Sequence, residues 1–255
     1  MVSPRFQLLK ILVGRDLTIR YKRSFLGIGW SLLNPILTSL VLWLIFSYVW
    51  SGRLPGNLQF APYVMAGVLV MNFFNQGVSA SAESVQQNVG VLTKIKVPPY
   101  IFSLSAATAN FINFMIGLLP LIVVCAVSGQ SISLTLPLVV FVGLSMTMLV
   151  TGIGLALSIL YIRFDDMRNI INVLLMILMY FTPIFYPITV LSSQMQSLIS
   201  LNPLNSYLEA FRWSVSKNAT ADAFDWIYLS TWSVVVLALG IAIFKRFWPR
   251  IAAML

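Results

Sequence analysis

Apolar residues run through this chain in long blocks that charges interrupt at only a few places. Residues 97–162 carry no charged side chain over 66 positions, 169–208 none over 40, and 226–244 none over 19. A helix needs about 20 apolar residues to cross a hydrocarbon layer about 30 Å thick. Spans are therefore expected at 28–50, 61–82, 100–127, 134–162 and 228–244. Ser128-Gly129-Gln130-Ser131 supplies turn-forming residues between the third and the fourth, and Pro55-Gly56 lies between the first and the second.

The block 169–216 has room for one span or two. Basic residues decide, because cytoplasmic loops carry the excess of Lys and Arg. With one span there, at 169–187, the chain crosses six times and both termini are cytoplasmic. Thirteen of the 16 basic residues then lie inside, and Arg53, Arg212 and Lys217 lie outside. A seventh crossing would carry Lys245, Arg246 and Arg250 out, so six is the expected number. Segment 188–216 then stays on the outer face. Pro183 and Pro187 end the fifth span, Asn202 suits an N-cap and Pro203 a first helical position. Two short re-entrant helices, about 189–200 and 203–216, are expected to dip into the outer leaflet. Irregular backbone at that depth needs protein or a cavity around it; an ordinary interfacial loop is the other reading. The fold class is an all-α membrane protein, one transmembrane domain over 1–255 that opens with a cytoplasmic helix in 1–27.

Composition narrows the function. With 59% hydrophobic and 9% charged residues and a mean hydropathy of +0.90, the chain cannot cover a soluble surface, where charged residues make up about 25%. The net charge of +9 sits in membrane-proximal loops, which excludes nucleic acid as the partner it implies. The absence of histidine removes imidazole metal ligands, proton relays and histidine triads. Cys125 is the only cysteine, so no internal disulfide forms. Neither G-x-x-x-x-G-K-[ST] nor G-x-G-x-x-G occurs, so no nucleotide loop, cofactor or metal site is expected. The first apolar run exceeds the core of about 7–15 residues of a cleavable signal. The spans hold no charged side chain, which argues against ion-coupled transport.

Arg15-Asp16-Leu17-Thr18-Ile19-Arg20-Tyr21-Lys22-Arg23-Ser24-Phe25-Leu26-Gly27-Ile28-Gly29-Trp30 resembles the R-D-x-x-x-R-Y-K-x-S-x-L-G-x-x-W signature of the membrane subunits of ABC type-2 polysaccharide exporters. Further matches follow in family order. Asn88 to Pro98 resembles an N-x-x-x-L-x-K-x-x-x-P loop, and Arg163-Phe164-Asp165-Asp166 an R-x-R-D element with Asp165 in place of its second arginine. Thr182-Pro183-Ile184-Phe185-Tyr186-Pro187 resembles S-P-V-x-Y-P. Leu201-Asn202-Pro203-Leu204 through Glu209-Ala210-Phe211-Arg212 resembles L-N-P-L-x-x-x-x-E-x-x-R. Pro99 stands where the family usually has arginine.

Two readings fit the first segment. Phe6, Leu9, Val13, Leu17 and Tyr21 are spaced 3, 4, 4 and 4, one imperfect apolar helical face. Its six cations suit an amphipathic helix on anionic membrane lipid. The resemblance implies an interface helix that also docks an ATPase subunit, with Arg15, Asp16, Arg20, Tyr21 and Lys22 in the contact. The centre of the next inner segment, 89–97, suits a short helix stopped by Pro98 and Pro99; the resemblance implies that it is a coupling helix to which Asn88, Leu92 and Lys94 belong, and a solvated basic loop is the other reading. Trp43, Phe46 and Trp50 share one face of the first span, and Tyr180, Phe181, Phe185 and Tyr186 crowd the outer half of the fifth. They form either an interfacial aromatic belt or a conduit whose rings stack on sugars. Asn202, Pro203, Glu209 and Arg212 are the candidates for an outer gate. Arg163, Asp165, Asp166 and Arg168 read as an ion-pair cluster or a hinge.

The function these observations imply is the membrane half of an ATP-driven exporter in a bacterial plasma membrane. By the resemblance it carries lipid-linked polysaccharide such as O-antigen or teichoic acid, as a homodimer with two copies of a separate ATPase chain. Export of drugs or lipids is the alternative, and an enzyme or scaffold of glycan assembly a third.

Overall fold

The computed structural model describes residues 4–21, 59–92, 97–164, 166–216 and 219–252, with Lys94 and scattered helical positions between 29 and 44. Among the described residues there is no strand, only an isolated bridge between Ile132 and Ser216. The helices are α1 (Pro4–Tyr21), α2 (Phe60–Gln87), α3 (Val89–Leu92), α4 (Tyr100–Val127), α5 (Leu138–Arg163), α6 (Met167–Tyr180), α7 (Ser193–Ser200), α8 (Pro203–Val215) and α9 (Ala223–Ala252). The expected first span, 28–50, lies outside the described residues apart from its scattered helical positions. One of these, Ile36, packs on the core.

Three helices, α4, α5 and α9, are each long and apolar enough to cross a membrane. The 28-residue α2 is as long as α4 but carries amides and hydroxyls, and it can do so because it is central. Eighteen of its residues are buried, against five in the 30-residue α9. It packs on α4 and α5, α5 packs in turn on α9, and α8 lies across α2, α5 and α9. Phe73 of α2 stacks on Phe114 at 4.9 Å between ring centroids, and Phe211 of α8 meets Phe114 at 5.3 Å. Phe114 is the midpoint of α4, so α8 reaches far into the bundle.

Where α5 and α9 cross, backbone meets backbone. A methyl group on Gly240 would overlap the carbonyl of Gly152, and one on Gly152 would come within 2.7 Å of Leu237 Cα. Small residues at such crossings let two helices close on each other where lipid supplies no hydrophobic drive.

Two elements differ from expectation. Helix α6 ends at Tyr180 after 14 residues, about 21 Å, short of a hydrocarbon layer. Residues 181–187, expected to complete the span, form turns instead. Pro183 lacks an amide donor, and its ring pushes Thr182 out of helical backbone. On α1, the buried face is Leu12 and Val13 with Leu8 and Leu9 beside them, while Phe6 and Ile11 stand exposed. Ile101 and Phe102 of α4 select that face, since they cluster with Leu8, Leu9 and Leu12.

Gly240→Val is expected to lower the thermal unfolding midpoint of the detergent-solubilised chain, because overpacking costs about 1–3 kcal/mol. Gly14→Ala, where an added methyl group meets nothing within 4 Å, is expected not to lower it, since alanine is the better residue inside a helix.

Candidate functional site

After its first two residues, half-buried and exposed positions on α2 resume at Asn72 and recur at Asn75, Gln76, Ser79, Ala80, Glu83, Gln86 and Gln87. Steps of 3 and 4 make this one helical stripe, about 22 Å long at 1.5 Å per residue. The opposite half of the helix is different: Pro62 to Met71 is buried without a break. The stripe is built of neutral amides and a hydroxyl, with a single charge, Glu83, near its end.

At the α1 end, the stripe opens into a cleft of about 480 Å³ lined by Arg15, Asp16, Glu83, Gln87, Asn88 and Asn110 among others. Arg15 joins two elements there. Its Nη1 donates to Asn88 Oδ1 at 2.8 Å, and its Nη2 pairs with Asp16 Oδ1 at 2.9 Å. Asp16 Oδ2 accepts from Ser105 of α4 at 3.0 Å. Asn88 closes α2 through Nδ2 to the Ser84 carbonyl at 2.7 Å, and its own carbonyl accepts from Val91 and Leu92 to start α3. Leu92 packs between α1, α4 and the end of α9. Beyond it Lys94 is exposed. The structure thus brings Arg15, Asp16, Asn88 and Leu92 together and leaves Lys94 outward. The side chains of Arg20 and Tyr21, and the whole of Lys22, Trp43, Phe46 and Trp50, lie outside the described residues.

The charged residues after α5 make contacts on more than one element. Arg168 pairs across to Glu83 of the stripe, Nε to Oε1 at 3.1 Å, and Arg163 lies over the Phe164 ring. Asp165 is outside the described residues.

At the α8 end, one cation organises the turn that follows α6. Arg212 is 3% exposed. It donates to the carbonyls of Pro183 (3.3 Å), Ile184 (3.1 Å) and Tyr63 (3.4 Å), pairs with Glu209 at 3.3 Å and lies 3.5 Å from the centroid of the Tyr63 ring. Asn202 caps α8, its Oδ1 accepting from Leu204 N, and its Nδ2 reaches Thr182 Oγ1, both at 3.1 Å. Pro203 is the first residue of α8. The Tyr63 hydroxyl donates to the Tyr186 carbonyl at 3.1 Å, and a methyl group on Gly67 would stand 2.7 Å from Ile184 Cγ2.

Asn202, Pro203, Glu209 and Arg212 therefore form one assembly with Thr182–Ile184. The aromatic set divides: Tyr180 and Phe181 are exposed, whereas Phe185 packs on the core and Tyr186 is half-buried. Sequence reasoning missed the α2 stripe and Tyr63. The stripe had a signal, amides at 72, 75 and 76 and a hydroxyl at 79, inside a block read only for its hydropathy.

Comparison with known proteins matches residues 7–215 to the ABC-2 type transporter family. The chain is similar to the O-antigen export system permease protein RfbA of Myxococcus xanthus, 30% identical over 243 residues, 93% of this chain and 91% of that protein. It is 25% identical over 255 residues to a protein of the same name from Klebsiella pneumoniae, with 98% and 95% covered. With the polysialic acid transport protein KpsM of Escherichia coli it shares 22% over 250 residues, 96% of each.

If Arg212 holds the turn closed, Arg212→Met should speed maleimide labelling of an Ile184→Cys variant by about tenfold or more. A hydrogen bond from a charged group is worth about 1.5–3 kcal/mol. Native Cys125 is fully buried and stays silent. Equal labelling rates with and without Arg212 would remove this role.

Proposed function

This chain belongs to the ABC-2 type transporter family, and from that premise we propose that it is the membrane subunit of an ATP-driven exporter of lipid-linked cell-envelope polysaccharide. The observation that carries the reading is the α2 stripe. A row of neutral amides and a hydroxyl, open toward the α1 end and stopped by a buried half-helix under α8, suits a neutral polyhydroxylated chain. Such a ligand exchanges hydrogen bonds with amides along its length and needs no fixed charge. A drug or lipid exporter would be better served by an apolar path. The relatives favour the same side, being named for O-antigen export and polysialic acid transport.

Six spans with both termini in the cytoplasm put α1, α3 and Lys94 on the inner face of a bacterial plasma membrane. Two copies of a separate ATPase chain dock there. Arg15, Asp16 and Asn88 pass force to α2 and α4, since one hydrogen-bonded group holds α1, α3 and both helices. A homodimer supplies the second wall of the conduit, and the exposed Tyr180 and Phe181 of α6 face that space. Helices α7 and α8 are the re-entrant pair of the outer leaflet; the contact of Phe211 with the midpoint of α4 supports that depth. The Arg212 assembly is the outer gate.

Asn72→Leu with Ser79→Leu is expected to abolish surface polysaccharide in a strain dependent on this exporter, while the ATPase subunit still co-purifies. Lys94→Glu should do the reverse, weakening co-purification about tenfold, the effect of one interfacial charge pair of about 1.5 kcal/mol. Export that survives the leucine pair would reject the stripe as the path.

Orientation has its own check. A reporter fused after Leu255 should be active only in the cytoplasm; activity outside would remove the six-span arrangement.

A further inference from the structure

On the flank of α5, where α4 and α9 part, lies an apolar groove of about 400 Å³. Its walls include Leu104 of α4, Leu155 of α5, and Leu237 and Ile241 of α9, and Tyr100 and Lys245 stand at its α1 end. The groove exists because its two sides are pulled apart. Helix α4 is tied toward α2 by Ser103 to the Ser81 carbonyl at 2.9 Å and by Ser81 to the Ser103 carbonyl at 3.1 Å. Ser105 ties it to Asp16 of α1. Helix α9 is drawn to the other side of α5 by the Gly152–Gly240 crossing. Leu237 and Ile241 lie immediately beside that crossing.

The chemistry of the groove is asymmetric along its length. Between its ends, the polar group among the described lining residues is the Thr151 hydroxyl, which already donates to the Thr147 carbonyl at 2.7 Å, so the body asks for no hydrogen bond. The α1 end offers a cation, and among the described residues no carboxylate lines the groove. Lys245 makes no ion pair among the described residues, and Arg246 and Arg250 follow it on the same exposed end of α9. From Lys245 to Leu237 the groove follows about 12 Å of helix. A dry apolar trough with a lysine at one end matches an amphiphile with an anionic head. On a membrane-spanning bundle, an abundant amphiphile of that kind is the inner-leaflet phospholipid.

We propose that this groove seats one acyl chain of an anionic phospholipid, with its phosphate at Lys245 beside the Tyr100 hydroxyl. None of the described residues that line it belongs to α2, so the site is separate from the α2 stripe. Its occupant fills the gap between α4 and α9, and so fixes how far α4 stands from α9.

The test uses the full-length chain in phosphatidylcholine vesicles doped with a phosphatidylglycerol carrying a photoactivatable acyl chain. A parallel sample carries photoactivatable phosphatidylcholine, and labelled peptides are mapped by mass spectrometry. Peptides holding Leu104 and Leu237 should be labelled about fivefold more by the anionic lipid, the preference one lysine gives near a charged surface. Lys245→Glu, at an exposed position, should erase that preference. Leu237→Trp should block labelling at Leu104 from either lipid. Equal labelling by the two lipids, or a preference that survives Lys245→Glu, would overturn the proposal. So would displacement of the label by a polyprenyl phosphate but not by unlabelled phosphatidylglycerol, or crosslinks from a second copy of the chain into the groove.

Discussion

A buried carbonyl that leaves a helix has no water to turn to, and this constraint explains the most unusual part of the molecule. Helix α6 stops at Tyr180, and the turn after it exposes the carbonyls of Pro183 and Ile184. Arg212 comes from α8 to meet both. A buried guanidinium would itself be costly, but three carbonyls, the Glu209 carboxylate and the face of Tyr63 surround it. Each partner removes part of the other's penalty. Without the broken helix there would be no reason to bury the arginine, and without the arginine the break would not be tolerated.

The rest of the fold is arranged around α2, which is two different helices in one. From Pro62 to Met71 it is a core element, buried all round and held from above by α8. From Asn72 onward one face is polar and less enclosed. The change occurs within one turn, so a polar path along the second half meets packed side chains at the first. At the far end, Asn88 ends α2, begins α3 and accepts from Arg15. Movement imposed on α1 or α3 therefore reaches α2 through hydrogen bonds, with no loop in between to absorb it.

Local chemistry was legible in the sequence and long-range pairing was not. Asn202-Pro203 foretold the start of α8 because an N-cap acts within two residues of itself. The motif around Arg15 and Asp16 marked a site, but nothing in it pointed to Asn88, 73 positions away. Arg212 was marked as a rare charge in an apolar stretch, yet its main partners are backbone carbonyls, which every residue has. Pro183 and Pro187 together read as the end of a span running to 187, whereas α6 already stops at Tyr180. Arg168 lies close in sequence to Asp165 and Asp166, and nothing in that stretch pointed to its pairing with Glu83 on α2. Hydropathy averaging hid the α2 stripe, since four polar groups among valines and phenylalanines still read as a span.

The two sides of the bundle are held with unequal firmness. Helices α5 and α9 touch through bare backbone at Gly152 and Gly240, so sliding one past the other first requires separating them. Helix α6 fully buries only Ile171 and Leu175, with Met167, Leu178 and Met179 half-buried against the core; Val173, Leu174, Met176 and Ile177 face outward, and apolar surface passed from protein to lipid meets no hydrophobic penalty. The ion pair of Arg168 with Glu83 and the turn that Arg212 holds tie α6 near its two ends, so α6 is fastened like a strap at both buckles beside a post welded along its length.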